Sequence, residues 1–150
     1  MLAIFRAKAL AQRGRFAALL VLAKSGGALE SPLDITLRMQ AEIGHLEVEE
    51  ARALFMDGQG RYLAEVSLVQ GGRDQLILPA RKIAGIIQLL DADMMLLAHN
   101  HPSGSCEPSA EDVRTTRGIA EMLCSLGVTL YDHIIVTRAS TFSFRAAGCL

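Results

Sequence analysis

A buried strand that ends in two histidines constrains this chain more than any other feature of its sequence. The apolar run Met94–Ala98 leads directly into His99 and, two positions later, His101. Side chains two positions apart lie on the same face of a strand, so the two imidazoles can converge on one ion. Asp112 follows eleven residues after His101, beyond a turn-forming loop, on the expected first turn of a helix. This spacing predicts an open zinc site with three protein ligands and a fourth tetrahedral position left for water.

Asp112 has a second interpretation that the sequence leaves open. It follows Ser109 by three residues, which is the spacing of a capping box at the start of a helix. A carboxylate on zinc is not free to cap, so the two roles compete. Glu111 and the helix dipole are able to serve the cap instead, which favours Asp112 as a ligand.

Hydrolysis at such a site needs a carboxylate that takes up a proton from water and returns it. The HExxH pattern of many zinc peptidases is absent, so this base must come from elsewhere in the chain. Glu49 and Glu50, just before the first predicted strand, are the candidates. Both also fit the simpler interpretation of a solvated strand entry.

Length and composition indicate one compact domain with a sizeable core, because 51% of the 150 residues are hydrophobic and the net charge is only -1. Apolar runs such as Phe16–Ala23 are much shorter than the roughly 20 residues that a membrane helix needs. The cysteines are three in number, widely spaced and without a CxxC pair. They therefore argue against a disulfide framework or a thiolate zinc site and favour a reducing, cytoplasmic setting.

Basic residues are concentrated at the beginning of the chain, where five occur before Glu30 without a single acid. The favoured interpretation is the solvated face of an amphipathic helix. Nucleic-acid contact through this segment is poorly supported because only Phe5 and Phe16 lie among its charges, too few aromatic residues for an interleaved pattern. A signal peptide is disfavoured because Lys24 interrupts the apolar run and no cleavage site follows.

Helical and strand patterns alternate along the chain. The segment 1–30 is expected to be a short helical lead-in, with its helix over 3–24, and 31–150 to form the main domain. Ser31 and Pro32 have the residue types of a helix start, and two glycines in 57–60 suit a hairpin turn. Helices are predicted from 31, over 79–90 and over 109–126, and strands over 51–56, 61–69, 94–98, 128–136 and 141–145. This order predicts an α/β domain with a mixed sheet covered by helices on both faces.

The string His99-Asn100-His101-Pro102-Ser103-Gly104, with Ser109 and Asp112 behind it, resembles the JAMM motif of JAB/MPN metalloproteases. More narrowly, the chain from Ser31 to Leu150 resembles the RadC family, including the segments Leu54–Asp57 and Asp132–Val136. The resemblance implies a JAB/MPN fold, with the three-layer arrangement also found in cytidine deaminases. It differs from the usual RadC pattern at its start, where only the last part of a helix-hairpin-helix region fits.

The resemblance also implies roles for individual residues. His99, His101 and Asp112 become ligands of one zinc ion per chain, and Ser109 a donor to the oxyanion. By its offset from Leu54–Asp57, Glu49 becomes the general base, with Glu50 as the fallback.

The implied activity is zinc-dependent cleavage of a peptide or isopeptide bond in a peptide or protein substrate. The alternative is a non-catalytic, zinc-stabilised interaction module in DNA repair or recombination. The oligomeric state is left open.

Two further features have both a functional and a structural interpretation. Asp132 and His133 precede an apolar stretch and form either a pair that orients a metal ligand or a structural surface pair. Cys106 lies in the loop after His101, where a small residue without metal contact is favoured over a competing thiolate.

Overall fold

The computed structural model describes residues 31–70 and 80–150. The predicted lead-in helix and the predicted helix start at Pro79 lie outside these ranges. Within them, none of the helices combines the length and the apolar character needed to cross a membrane. The elements are α1 (Pro32–Ile43), β1 (Glu50–Met56), β2 (Tyr62–Gln70), α2 (Ala80–Leu90), β3 (Met94–Asn100), α3 (Ala110–Ser125), β4 (Thr129–Val136) and β5 (Thr141–Ser143).

The strands form one mixed sheet in the order β2-β1-β3-β4-β5. β3 and β4 are parallel, whereas β1 is antiparallel to both β2 and β3. His99 on β3 is therefore paired with Ala51 at the beginning of β1 and with Ile135 near the end of β4. This topology places the chain entering β1, which carries Glu49, beside the histidine end of the central strand.

Helices cover both faces of the sheet, as predicted. On one face, α1 contributes Ile35, Met39 and Ile43 to a buried cluster with Leu54 and Leu96 of the sheet. On the other face, α2 and α3 pack against alternate residues of the same strands. Because neighbouring strand residues point to opposite faces, each central strand supplies apolar side chains to both clusters. The result is the predicted three-layer α/β arrangement.

The ends of the elements follow local chemistry. Ser31 caps α1 in a capping box with Asp34, with Pro32 in the first turn. The chain turns after α3 at Gly127, whose φ of 74° favours glycine. β5 is shorter than the predicted 141–145 because the chain folds around Asp132, which accepts hydrogen bonds from the Ser143 hydroxyl and the Arg145 amide.

Gly44 allows the end of α1 to dock on the turn between β4 and β5. A Cβ at this position would lie 2.5 Å from the carbonyl oxygen of Gln40 and 2.7 Å from that of Thr137. Both obstacles are backbone atoms, so we expect Gly44→Ala to lower the free energy of unfolding by about 1–3 kcal/mol. Urea unfolding measures the change. Gly118→Ala is the matched control, because Gly118 lies within α3 and a Cβ there meets nothing within 4 Å.

Candidate metal centre

Four side chains from three parts of the fold meet at the end of β3. One ligand atom from each of Glu49, His99, His101 and Asp112 lies within 4.8 Å of the other three. The Nε2 atoms of His99 and His101 are 3.0 Å apart. His99 Nε2 is also 3.1 Å from Asp112 Oδ1, and His101 Nε2 is 3.3 Å from Asp112 Oδ2. The structure thus brings the three predicted ligands and the predicted base into one group that could hold a metal ion.

The two histidines reach this group from different environments. The side chain of His99 is fully buried, whereas that of His101 is 16% exposed at the mouth of the site. His101 Nδ1 lies 2.8 Å from the carbonyl oxygen of Ser105. A carbonyl only accepts, so Nδ1 carries a hydrogen and Nε2 is the nitrogen that faces the group.

Asp112 belongs to the group and caps α3 at the same time. Its Oδ2 atom accepts hydrogen bonds from the Ser109 amide at 2.7 Å and the Ser109 hydroxyl at 2.6 Å. Its Oδ1 atom lies beside His99. The expectation that Glu111 takes over the cap is wrong, because Glu111 pairs with Arg114 instead. A carboxylate has two oxygens with several lone pairs, so it can serve the cap and still face the histidines.

The charges of the group are strongly coupled. Burial raises the pKa of Asp112, but the neighbouring imidazoles of His101 and His99 and the hydrogen bond from Ser109 outweigh it and hold this pKa far below its ordinary value. Contact with the Asp112 carboxylate raises the pKa of His101 against the opposing effect of burial. The carboxylate therefore stays ionised and available to a cation.

Ser109, the predicted oxyanion donor, lies at the edge of the group. Its hydroxyl donates to Asp112 Oδ2 and accepts from the Asp112 amide at 3.0 Å. The single hydroxyl hydrogen is therefore directed at Asp112. The structure shows Ser109 as a residue that fixes the carboxylate, and its contact with an oxyanion stays a prediction.

The two candidate bases point to opposite sides of the sheet. Glu49 is partly exposed, with its Oε1 atom 3.9 Å from His99 Nε2. Glu50 is buried and binds Arg52 at 2.7 Å on the α1 side. Arg52 in turn pairs with Glu42 and Glu65. Glu49, not Glu50, therefore accompanies the histidines.

Asn100, between the two histidines, holds the segment that carries Glu49. It is fully buried and its side-chain oxygen accepts a hydrogen bond from the Glu50 amide at 2.7 Å. Its side-chain nitrogen donates to the carbonyl oxygens of Leu46 and Val48 at 3.3 and 3.0 Å. This role could not be predicted from the sequence, because none of the three partners is near Asn100 in the chain.

We expect Asn100→Ala to leave these three backbone groups without their partner and to lower the free energy of unfolding. Each unsatisfied buried group costs about 1–3 kcal/mol. Thermal unfolding measures the loss of stability. In a zinc titration, we expect Asn100→Ala to lose less zinc affinity than variants of His99, His101 or Asp112, because it leaves the three proposed ligands and their hydrogen bonds in place. An unchanged unfolding temperature would contradict the role of Asn100.

His133 of β4 lies directly behind the site. It is fully buried, its Nε2 atom is 2.8 Å from His99 Nδ1, and its Nδ1 atom is 2.6 Å from the hydroxyl of Thr116. Burial and the neighbouring His99 lower its pKa well below the ordinary value, so the ring is neutral. Asp132 points instead toward β5, where it holds Ser143 and Arg145. Of the predicted pair, only His133 contacts a candidate ligand, and Thr116 was not predicted.

Comparison with known proteins identifies the family to which this chain belongs. A family model described as a RadC-like JAB domain matches residues 29–149. The chain belongs to this family. It is 36% identical to a UPF0758 protein of Ralstonia nicotianae over 82% of this chain and 55% of that relative. It is 35% identical to one of Thiobacillus denitrificans (85% and 57%) and 34% identical to one of Neisseria meningitidis serogroup B (81% and 54%).

The RadC-like JAB domain described here spans about half the length of the curated relatives it matches. The four-residue group of Glu49, His99, His101 and Asp112 is the feature of this domain from which a reaction can be inferred.

Proposed function

We propose that this RadC-like JAB domain is a zinc-dependent hydrolase of the JAMM type that cleaves a peptide or isopeptide bond. The observation that carries the proposal is the meeting of Glu49 with His99, His101 and Asp112 at one end of the sheet. Three of these side chains suit metal binding, and the fourth is an accessible carboxylate of the kind that hydrolysis requires.

The donor set fits zinc. Imidazole nitrogen and carboxylate oxygen are ordinary zinc ligands, and three protein ligands are typical of catalytic sites. Bonds of about 2.0–2.2 Å at tetrahedral angles separate neighbouring ligand atoms by roughly 3.3 Å. The two Nε2 atoms are 3.0 Å apart, and each lies close to a different oxygen of Asp112, His99 at 3.1 Å from Oδ1 and His101 at 3.3 Å from Oδ2. Cys106 is not part of the group, so we propose one zinc ion per chain on these three residues.

Each residue has a distinct part in the proposed reaction. A bound zinc ion polarises the substrate carbonyl and makes water more acidic. Glu49 takes up a proton from the attacking water and returns it to the leaving nitrogen. Ser109 donates to the developing oxyanion once its hydrogen turns away from Asp112. Asn100 keeps Glu49 in reach of the reacting atoms.

The direct test is hydrolysis of a ubiquitin-like fusion and a peptide library by the purified protein. We expect cleavage that stops on removal of the metal with a chelator, returns on addition of zinc, and is absent in His101→Ala. Hydrolysis that survives both chelation and His101→Ala would overturn the proposal.

The same experiment addresses the non-catalytic alternative. A protein that binds one zinc ion and loses thermal stability on chelation, yet cleaves no member of a broad substrate panel, would be a zinc-stabilised interaction module. Glu49 favours the enzyme, because its side chain is partly exposed and its carboxylate lies 3.9 Å from His99 Nε2, within reach of a substrate and its attacking water. We propose a peptide or protein as the substrate.

A further inference from the structure

A line of hydrogen-bonded side chains runs from the metal group into the core and returns to the backbone of a proposed ligand. His99 Nδ1 lies 2.8 Å from His133 Nε2, and His133 Nδ1 lies 2.6 Å from the hydroxyl of Thr116. That hydroxyl donates to the backbone carbonyl oxygen of Asp112 at 2.6 Å. The line connects β3, β4 and the first turns of α3, which are the elements around the site.

The last contact sets the direction of the hydrogen bonds. A hydroxyl has one hydrogen, and that of Thr116 is given to the Asp112 carbonyl. Thr116 Oγ1 therefore accepts from His133, whose hydrogen lies on Nδ1. With its hydrogen on Nδ1, His133 offers the lone pair of Nε2, which accepts the Nδ1 hydrogen of His99. The remaining lone pair of His99, on Nε2, faces His101 and Asp112.

We propose that His133 and Thr116 are positioning residues that fix the hydrogen of the His99 ring on Nδ1 and thereby present its Nε2 lone pair to the metal. The inference rests on the proposed zinc site but not on hydrolytic activity. A ligating histidine usually donates its other N–H to a carboxylate, a carbonyl or water. In this chain the acceptor is a second buried imidazole, which itself depends on Thr116.

The surroundings hold the two rings in place. His133 is stacked on Phe144, with ring centroids 4.8 Å apart and an angle of 5° between the planes. His99, Thr116 and His133 are each at most 2% exposed. Bulk water has little access to these atoms, so the hydrogen bonds must be satisfied within the line. Loss of one member therefore leaves the others without a partner.

The first test is nuclear magnetic resonance of the zinc-loaded, ¹⁵N-labelled full chain. We expect His133 to carry its hydrogen on Nδ1 alone and to show a scalar coupling between its Nε2 and His99 Nδ1. A hydrogen on His133 Nε2, or on both nitrogens, would overturn the inference. This measurement uses the wild-type protein and needs no variant to fold.

The second test compares zinc affinity, by competition with a chelator, in Thr116→Val and Thr116→Ser. The valine removes the hydroxyl at nearly the same volume, and we expect an affinity loss of about 10–100-fold. The serine keeps the hydroxyl and should retain the wild-type affinity. Thr115→Val is the matched control, since it places the same change one residue earlier in α3. Wild-type affinity in Thr116→Val, or an equal loss in Thr116→Ser, would overturn the inference.

The outcomes also separate this inference from the proposed enzyme. Zinc binding with the expected pattern but no hydrolysis supports the role of His133 and Thr116 and contradicts only the enzyme. Failure of the wild type to bind zinc overturns the zinc site and this inference together. If Thr116→Val does not fold when free of metal, as judged by circular dichroism, the wild-type resonance measurement decides.

Discussion

Replacement of Glu49 by glutamine is expected to reduce kcat about 10²–10⁴-fold, which is the contribution typical of a general acid–base residue. The amide cannot accept and return a proton, although it has nearly the shape of the carboxylate. Zinc content should stay at the wild-type level, because Glu49 lies further from His99 than Asp112 does, at 3.9 Å against 3.1 Å. Steady-state hydrolysis and metal analysis of the same preparation measure both quantities.

Two neighbouring acids provide the controls for this prediction. Glu47 is exposed on the same segment, so Glu47→Gln should leave kcat unchanged. Glu50→Gln removes a charge from the ion pair with Arg52. It should lower the free energy of unfolding and have little effect on kcat. A large loss of kcat in Glu50→Gln together with a normal rate in Glu49→Gln would contradict the assignment of the base.

Replacement of Asp112 by alanine is expected to abolish zinc binding and to weaken the start of α3. The substitution removes a proposed ligand and also half of the capping box with Ser109. The capping contribution alone is about 1 kcal/mol. Plasma mass spectrometry measures the zinc content, and thermal unfolding of the metal-free protein measures the cap.

Ser109→Ala separates these two effects. It removes the hydroxyl that Asp112 accepts from and leaves the carboxylate that faces His99. We expect Ser109→Ala to lose stability similarly when metal-free but to retain zinc. Zinc bound to Asp112→Ala at the wild-type level would show that Asp112 is not a ligand.

Much of the fold could be predicted from the sequence because its signals are local. Each signal determines the structure of only a few adjacent residues. Examples are the apolar run before His99, the glycines at the hairpin, and Ser31 before Pro32. The convergence of His99 and His101 has the same origin, since it depends only on the two-residue period of a strand. Asp112 could be found because its distance along the chain matches the length of one loop and one helical turn.

The supports of the site depend on contacts between distant segments. His133 reaches His99 only because β4 is parallel to β3 in one particular register, in which Leu97 is paired with His133. A shift of one residue would turn His133 to the other face of the sheet. Asn100 likewise holds backbone atoms about fifty residues earlier in the chain. Neither the strand register nor hydrogen bonds between distant segments follow from a local sequence pattern. The residues that position Glu49 and His99 could therefore be identified only from the structure.

The most direct measurement is a crystal structure of the zinc-loaded protein with anomalous diffraction recorded at the zinc edge. We predict one anomalous peak per chain, bonded to His99 Nε2, His101 Nε2 and an oxygen of Asp112, with Glu49 beside it and not bonded to it. Bond lengths of about 2.0–2.2 Å are expected for these ligands. A peak at Cys106 or elsewhere on the surface, with none at the end of β3, would contradict the proposed metal centre.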